Sequence, residues 1–469
     1  METPRRRRRR RSQMQIFKED YLPTIIVCLA FLLIVIFAIG SIARSIQRNN
    51  VKQVIEKEET VVQQQTQHDV DAEVSRLLAE AESYANDFDY EQAIAVLDSF
   101  SGDINDYAEL TSMRQKYVKA QSELVLWPDN GTIPNLSFQM LIADTQRAFS
   151  PEESYASSYK SNFITTSEFT NILHQLYEND YILVDMDDIV KEETDSDGNV
   201  YYTTNDLYLP VGKKPVMITQ TQVNYYMYMV DKDKDGFADQ DGAGFANKLV
   251  VDENGNLACE IVNADGSVST GAYDLIPILE SFIATHPDFS YRGARATIAV
   301  SGCEGIFGYR ISSYFSSDEY PATFRDQQIE DAKIVLQALK DSGYEIACYT
   351  YENVAYGTMD LAAMNADMNN WLSDIFPVLG SVDTFVFAKN SDISNVGTLY
   401  SGEKFNSLMN LGFKHYLGFS ESGSPWLVVA DNYMRQGRLM VSGDNLANNP
   451  QWFVEMFDAE SVLDPDRSI

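Results

Sequence analysis

The stretch GKKPVMITQTQVNYY (212–226) decides how the rest of this 469-residue chain is read. Lys214 to Ile218 is a short apolar run of the kind that fills a buried strand, and a polar segment follows it at once. Ala296-Thr-Ile-Ala-Val300 repeats the same apolar pattern farther along. Upstream, Thr165 and Glu168 have the spacing of a helix capping box. Phe169, Ile172, Leu173, Leu176 and Tyr177 then share one helical face, and Tyr181 to Val184 reads as a strand. Downstream, Ile329, Ala332, Val335, Leu336 and Leu339 predict a helix over 326–341, with Gly343 suited to its C-terminal cap. A strand over Tyr344 to Tyr349 follows. Residues 370–379 lead into Thr384 to Phe387, and a helix over 403–411 leads into Lys414 to Phe419. Strands alternating with helices predict a parallel sheet covered by helices, either a closed barrel or an open sheet. Three turn signals, DSDGN (195–199), DENGN (252–256) and NADGS (263–267), predict surface β-hairpins between these elements.

Working back to the N-terminus, the segment from Leu22 to Ala43 has no charged residue. At about 1.5 Å per residue it is long enough to cross a ~30 Å hydrocarbon core. Arg5 to Arg11 precede it, which predicts a cytoplasmic N-terminus, an extracellular C-terminus, and contact of the basic tail with the lipid bilayer. The competing reading is a cleaved signal peptide, whose apolar run is shorter and ends at a small-residue cleavage site. The expected organisation is a basic tail (1–21), a transmembrane helix (22–43), a stalk (44–70), a helical segment (71–125) and a large α/β domain (126–469). Within the helical segment, Val74, Leu77, Leu78, Ala81 and Tyr84 keep helical spacing. A DFDY break and Ala93, Ile94, Val96 and Leu97 follow. The pattern resembles one tetratricopeptide-type hairpin, read either as a spacer or as a peptide-docking surface.

Of 36 basic and 69 acidic residues, eight and three lie in residues 1–43, so residues 44–469 carry −38. A domain that acidic repels phosphate backbones, which excludes nucleic acid as a partner class. Cys28 lies in the apolar run, and Cys259, Cys303 and Cys348 are widely spaced with no CxxC pair, which argues against a disulfide framework or a zinc knuckle. Asp231, Asp233, Asp235 and Asp239 form a D-x-D-x-D-G loop. It reads either as a structural calcium loop or as a solvated acidic turn, since the twelfth position is Gly242 rather than Glu.

From about residue 127 onward the chain resembles the polysaccharide deacetylase (NodB-homology, carbohydrate esterase) family, in its membrane-anchored Gram-positive branch. The resemblance rests on LSFQMLIADTQRAF (136–149), YENDYILVDMDDIV (177–190), the opening stretch, DGFADQDGAGFANKLVVDENG (235–255), HPDFSYRGARATIAVSGCEGIFGYR (286–310) and LKDSGYEIACYTYENV (339–354). It implies a distorted (β/α) barrel with β-hairpin insertions. It also implies a divalent metal held by an aspartate and two histidines, beside an aspartate base. Where an Asp-Asp pair is expected before VNYY, this chain has Thr221 and Gln222. Where two histidines are expected, it has Tyr349 and Asn353. A third motif reads Ala388-Lys389-Asn390. Threonine is no base near neutral pH, the amides are weak ligands for zinc or cobalt, and tyrosine ionises only near pH ~10.

These substitutions predict a catalytically inactive deacetylase-like protein with no cofactor at the family metal site, serving as a cell-envelope glycan-binding or scaffolding module. Tyr225, Tyr226, Tyr351 and Lys389 are the candidate ligand contacts; the tyrosines either stack on sugar rings or fill the space the metal would occupy. Two alternatives remain: a divergent metal-dependent polysaccharide or peptidoglycan N-deacetylase, and a module that binds envelope proteins through its helical segment.

Overall fold

The computed structural model describes Met14, Lys18, residues 21–317 and residues 320–467. The arginines Arg5 to Arg11 lie outside the described residues. The chain divides into two compact units, Met1–Ala79 and Glu80–Ile469. In the first, one unbroken helix starts at Leu22; it ends at Asn86, inside the second unit. Its most apolar 18-residue window has a mean hydropathy of 3.2, and none of that window is buried. The helix is long and apolar enough to cross a bilayer, a property that signal sequences share.

The second unit opens with a helical hairpin, Tyr90–Asp98 and Ala108–Ser122. The Asp89 side chain caps the first of these by accepting from the Gln92 amide, and Ala93, Leu97, Leu110 and Tyr117 are buried. The Arg292 amide donates to the Asp87 carbonyl at 2.7 Å, tying the start of the hairpin to the α/β domain.

Seven strands then form a closed parallel barrel. They are β1 (Asn135–Phe138), β2 (Lys214–Thr221), β3 (Thr297–Val300), β4 (Glu345–Cys348), β5 (Thr384–Val386), β6 (His415–Phe419) and β7 (Tyr433–Met440). Each pairs in parallel with the next in sequence, and β7 returns to β1 through Arg438 opposite Asn135 and Met440 opposite Ser137. This closure resolves the choice between a barrel and an open sheet. A short strand, Tyr181–Leu183, pairs with the first half of β2, and β3 takes the second half.

The connections follow from the sequence pattern. Thr165 and Glu168 do form a capping box, with the Thr165 amide donating to Glu168 Oε2 at 2.8 Å. Such a cap stabilises a helix by about 1 kcal/mol. Helix Phe324–Asp341 buries Ala332, Val335, Leu336 and Leu339, and Gly343 follows it in the left-handed region at φ 92°. The three turn signals sit in antiparallel hairpins: Val190–Thr194 with Val200–Thr204, then Lys248–Val251, Leu257–Val262 and Val268–Gly271 in one three-stranded sheet.

Strand side chains alternate between the barrel interior and the helix layer. Met217, Ala299, Ala347, Tyr349, Val386, Ala388, Leu417 and Met434 belong to the inner cluster; Val216, Ile218, Ile298, Val300, Ile346 and Phe385 pack in the larger outer one. On β1, β2 and β7 the inner face turns polar. Asn135 donates to Gln436 at 2.9 Å and accepts from Thr219 at 2.8 Å, while Arg438 donates to the Ser137 hydroxyl at 2.9 Å. The barrel is therefore apolar at mid-height on some strands and hydrogen-bonded on others, and the polar groups lie beneath the C-terminal strand ends.

Candidate functional site

At the C-terminal end of the barrel lies a cleft of about 600 Å³. Its lining is dominated by carboxamides: Gln139, Asn162, Gln222, Asn353, Asn390 and Asn445. Tyr228, Tyr349, Ser158 and Ser442 add hydroxyls, and Lys389 and Asp444 are the charged side chains in the lining. Gln222, Tyr349, Asn353 and Lys389, four of the positions singled out by the resemblance, thus meet at one cleft although 167 residues separate the first from the last.

The backbone delivers them just past the ends of three of the barrel strands. Gln222 follows β2, Tyr349 and Asn353 follow β4, and Lys389 follows β5. Gln222 (φ 62°), Asn353 (φ 51°), Lys389 (φ 52°) and Asn390 (φ 50°) all occupy the left-handed region that non-glycine residues rarely adopt. Each such residue costs roughly 1–3 kcal/mol, and such strain collects where surrounding structure over-determines a functional geometry. The determinants are visible here. The Gln222 amide donates to the Ala299 carbonyl at 2.9 Å, and the Tyr349 amide donates to the Val300 carbonyl at 2.9 Å. The Asn224 side chain donates to the Ser301 and Gly305 carbonyls and accepts from the Ser301 amide at 3.1 Å, clamping the loop after β2 onto the loop after β3.

The side chains of Gln222, Tyr349, Asn353 and Lys389 make no hydrogen bond or ion pair to other described residues. For Asn353 this includes a buried Oδ1. Buried acceptors are nearly always paired, so an orphan that lines a cleft marks a place where a ligand or water completes the shell.

The degenerate base position and the three candidate tyrosines lie away from the cleft lining. Thr221 does not line the cleft. It is fully buried, with its hydroxyl donating to the Phe138 carbonyl at 3.2 Å. Tyr225, Tyr226 and Tyr351 are buried as well. Tyr225 donates to Asp274 at 2.6 Å, Tyr226 shares a 2.7 Å hydrogen bond with Ser301, and Tyr351 donates to Asp374 at 2.7 Å. The chain turns sharply after each strand, and sequence neighbours of a cleft residue therefore point into the core. Besides Phe163 and Tyr349, the aromatic residue that reaches the cleft is Tyr228, which stacks on Tyr226 at 6.0 Å between centroids and meets Tyr155 edge-on at 5.4 Å. Asn445 and Asp444 were equally hidden, because they enter from the helix Gly443–Asn448 after β7.

Elsewhere in the domain, Asp274 is fully buried and receives four donors: the Leu141 and Leu275 amides, Gln220 and the Tyr225 hydroxyl. Burial pushes its carboxyl up to about 6, against the pull of those donors. It does not line the cleft. In the D-x-D-x-D-G loop, Asp231, Asp233 and Asp239 bring oxygens within 4.8 Å of one another, and Asp235 falls outside that group. Their carboxylates accept backbone amides, among them Gly236 to Asp231 at 2.8 Å and Lys232 to Asp239 at 2.6 Å.

The metal implied by the resemblance does not fit the residues present. Gln222 and Asn353 offer neutral amides, Tyr349 a phenol, and Thr221 turns its hydroxyl to a carbonyl. Below them the buried Arg438 guanidinium bonds to Ser137, Gly418 and Phe387 and opposes a second cation. Divalent transition metals select imidazole, thiolate and carboxylate, and the cleft lining supplies only Asp444 from that set.

Fold and site together define a closed parallel (β/α) barrel with an amide-lined cleft at its C-terminal mouth. No family model and no curated protein matches the chain. Among solved structures it is similar to "Streptococcus pyogenes deacetylase PplD in complex with acetate", at 11% identity over 69% of this chain and 97% of that chain, with a TM-score of 0.32.

Proposed function

We propose that the chain is a membrane-anchored, extracytoplasmic binding protein of deacetylase-like fold, whose barrel cleft holds a glycan segment of the cell envelope without hydrolysing it. The observation that carries this reading is the set of unpaired polar groups on Gln222, Tyr349, Asn353 and Lys389 around one cleft. Carboxamides and hydroxyls pair with sugar hydroxyls and N-acetyl groups, and the partly exposed Tyr228 in the cleft lining suits contact with a pyranose ring. Hydrolysis of an amide needs an activated water, and the cleft has neither a general base at the Thr221 position nor a ligand set that would hold a metal. The apolar helix from Leu22, preceded by seven arginines, supports a single-pass anchor with the barrel outside.

The test is retention of the full-length chain, in detergent, on insoluble peptidoglycan and chitin, compared with a Gln222→Ala/Asn353→Ala double variant. Retention lost in the variant supports the reading. Equal retention of both proteins, or of neither, contradicts it.

A further inference from the structure

Two observations outside the cleft lining bear on what the cleft accepts. The first is Arg438. It lies on the inner face of β7, is 1% exposed, and donates through Nε to the Gly418 carbonyl, through Nη1 to the Ser137 hydroxyl and through Nη2 to the Phe387 carbonyl, each at 2.9 Å. All three acceptors are neutral. Among the described residues no carboxylate forms an ion pair with Arg438, and Asp392, whose charge it feels, is already bonded to Arg435 at 2.9 Å. A guanidinium has five N–H donors, so three hydrogen bonds leave it short of its capacity.

The second observation is the position of that charge. Met440, two residues farther along the inner face of β7, lines the cleft. Phe387, whose carbonyl Arg438 holds, leads directly into Ala388-Lys389-Asn390 at the cleft wall. Tyr349, which lines the cleft, belongs to the inner side-chain cluster of the barrel. The guanidinium therefore lies just under the cleft floor, while Lys389 stands exposed on its wall. An ion buried without a counter-charge is expensive, and its field extends far through a medium of low dielectric. Of the residues lining the cleft only Asp444 opposes these two cations, and it is exposed to solvent.

We propose that the cleft recognises an oxyanion, a carboxylate or phosphate group carried by its glycan ligand, with Lys389 as the direct contact and Arg438 as the charge beneath the floor. This deepens the glycan-binding reading and rests on it. The orphan Oδ1 of Asn353 asks for a hydroxyl or amide donor on the same ligand, which fits an acidic or phosphorylated sugar better than a bare inorganic ion.

The experiment is calorimetric titration of the full-length chain in detergent with D-glucuronate, glycerol 1-phosphate and N-acetylglucosamine, using wild type, Lys389→Met and Arg438→Met. The expected result is saturable binding of at least one of the two acids, weakened about tenfold by Lys389→Met and also by high salt. Which acid binds identifies the source of the oxyanion. If Arg438→Met fails to fold, Lys389→Met and the salt series still decide. N-Acetylglucosamine bound as tightly as either acid, or acid binding indifferent to Lys389→Met, overturns the oxyanion assignment and leaves glycan binding standing. No saturable binding by any of the three overturns both.

Discussion

The outer and inner faces of one strand solve the same electrostatic problem in opposite ways. Arg435 and Arg438 lie three residues apart on β7, and both are essentially fully buried. Arg435 points outward and has a carboxylate counter-charge, although its Nε is left without a hydrogen-bond partner. It bonds to Asp392 at 2.9 Å, stacks over Tyr400 at 3.9 Å from the ring centroid and lies 5.2 Å from Trp426. Its surroundings are close-packed: a Cβ added at Gly437 would meet Trp426 Nε1 at 2.1 Å. Arg438 points inward and has only neutral acceptors. One charge belongs to the architecture, and the other is left to act on whatever enters the cleft above it.

The largest consequence concerns Arg435. Replacing it by Met leaves Asp392 buried without its cation, and removal of one partner of a buried pair costs roughly 3–5 kcal/mol. Chemical denaturation of the Arg435→Met variant is expected to show a loss of that size. A loss below about 1 kcal/mol would mean that the outer pair is not structural.

Asp274 tests the same rule with a buried anion that has donors but no cation. Its carboxyl is raised from 3.8 to about 6 by burial. The folded state therefore holds the proton where the unfolded state has released it, so stability contributed by this group is present below pH 3.8 and lost as pH rises through 6. The swing is at most about 3 kcal/mol at ~1.4 kcal/mol per unit. Asp274→Asn is expected to flatten the stability profile between pH 4 and 6 relative to wild type. Parallel profiles for the two proteins would contradict this.

Arg438→Met should behave unlike its neighbour. It removes an uncompensated ion together with three hydrogen bonds, and the two terms largely cancel, so the expected change in stability is within about 1 kcal/mol. A loss as large as that for Arg435→Met would make Arg438 structural too. Smallest of all, Lys389→Met at an exposed wall position should leave thermal stability within about 0.5 kcal/mol of wild type. Any larger shift would show that Lys389 has a structural partner.

The same two faces explain how much of the protein was legible in its sequence. β2 to β6 announced themselves as apolar runs because Met217, Ala299, Ala347, Val386 and Leu417 face inward while their neighbours pack in the larger outer cluster, even though β2 turns polar beyond Ile218. β1 and β7 did not, since Asn135 and Ser137 on one, and Gln436 and Arg438 on the other, turn polar groups inward. No periodicity rule separates such strands from surface loops, and without them the choice between barrel and open sheet could not be made. At the cleft, Gln222, Tyr349, Asn353 and Lys389 were reachable through the family resemblance, since they occupy strand ends in its order. Thr221, Tyr225, Tyr226 and Tyr351 were misplaced because side-chain direction after a strand depends on left-handed residues such as Gln222 and Thr350 (φ 62° each). Tyr228, Asp444 and Asn445 had no signal of their own; tertiary structure brings them to the cleft.

The measurement closest to the central claim is acetate release from N-acetylated chitin oligomers and peptidoglycan by the full-length protein, with zinc, cobalt or manganese supplied and then removed by a chelator. A binding protein with an amide-lined cleft releases no acetate above the protein-free background under any of these conditions. Metal-dependent turnover that stops on chelation and is lost in the Gln222→Ala/Asn353→Ala variant would mean that this cleft is an active site.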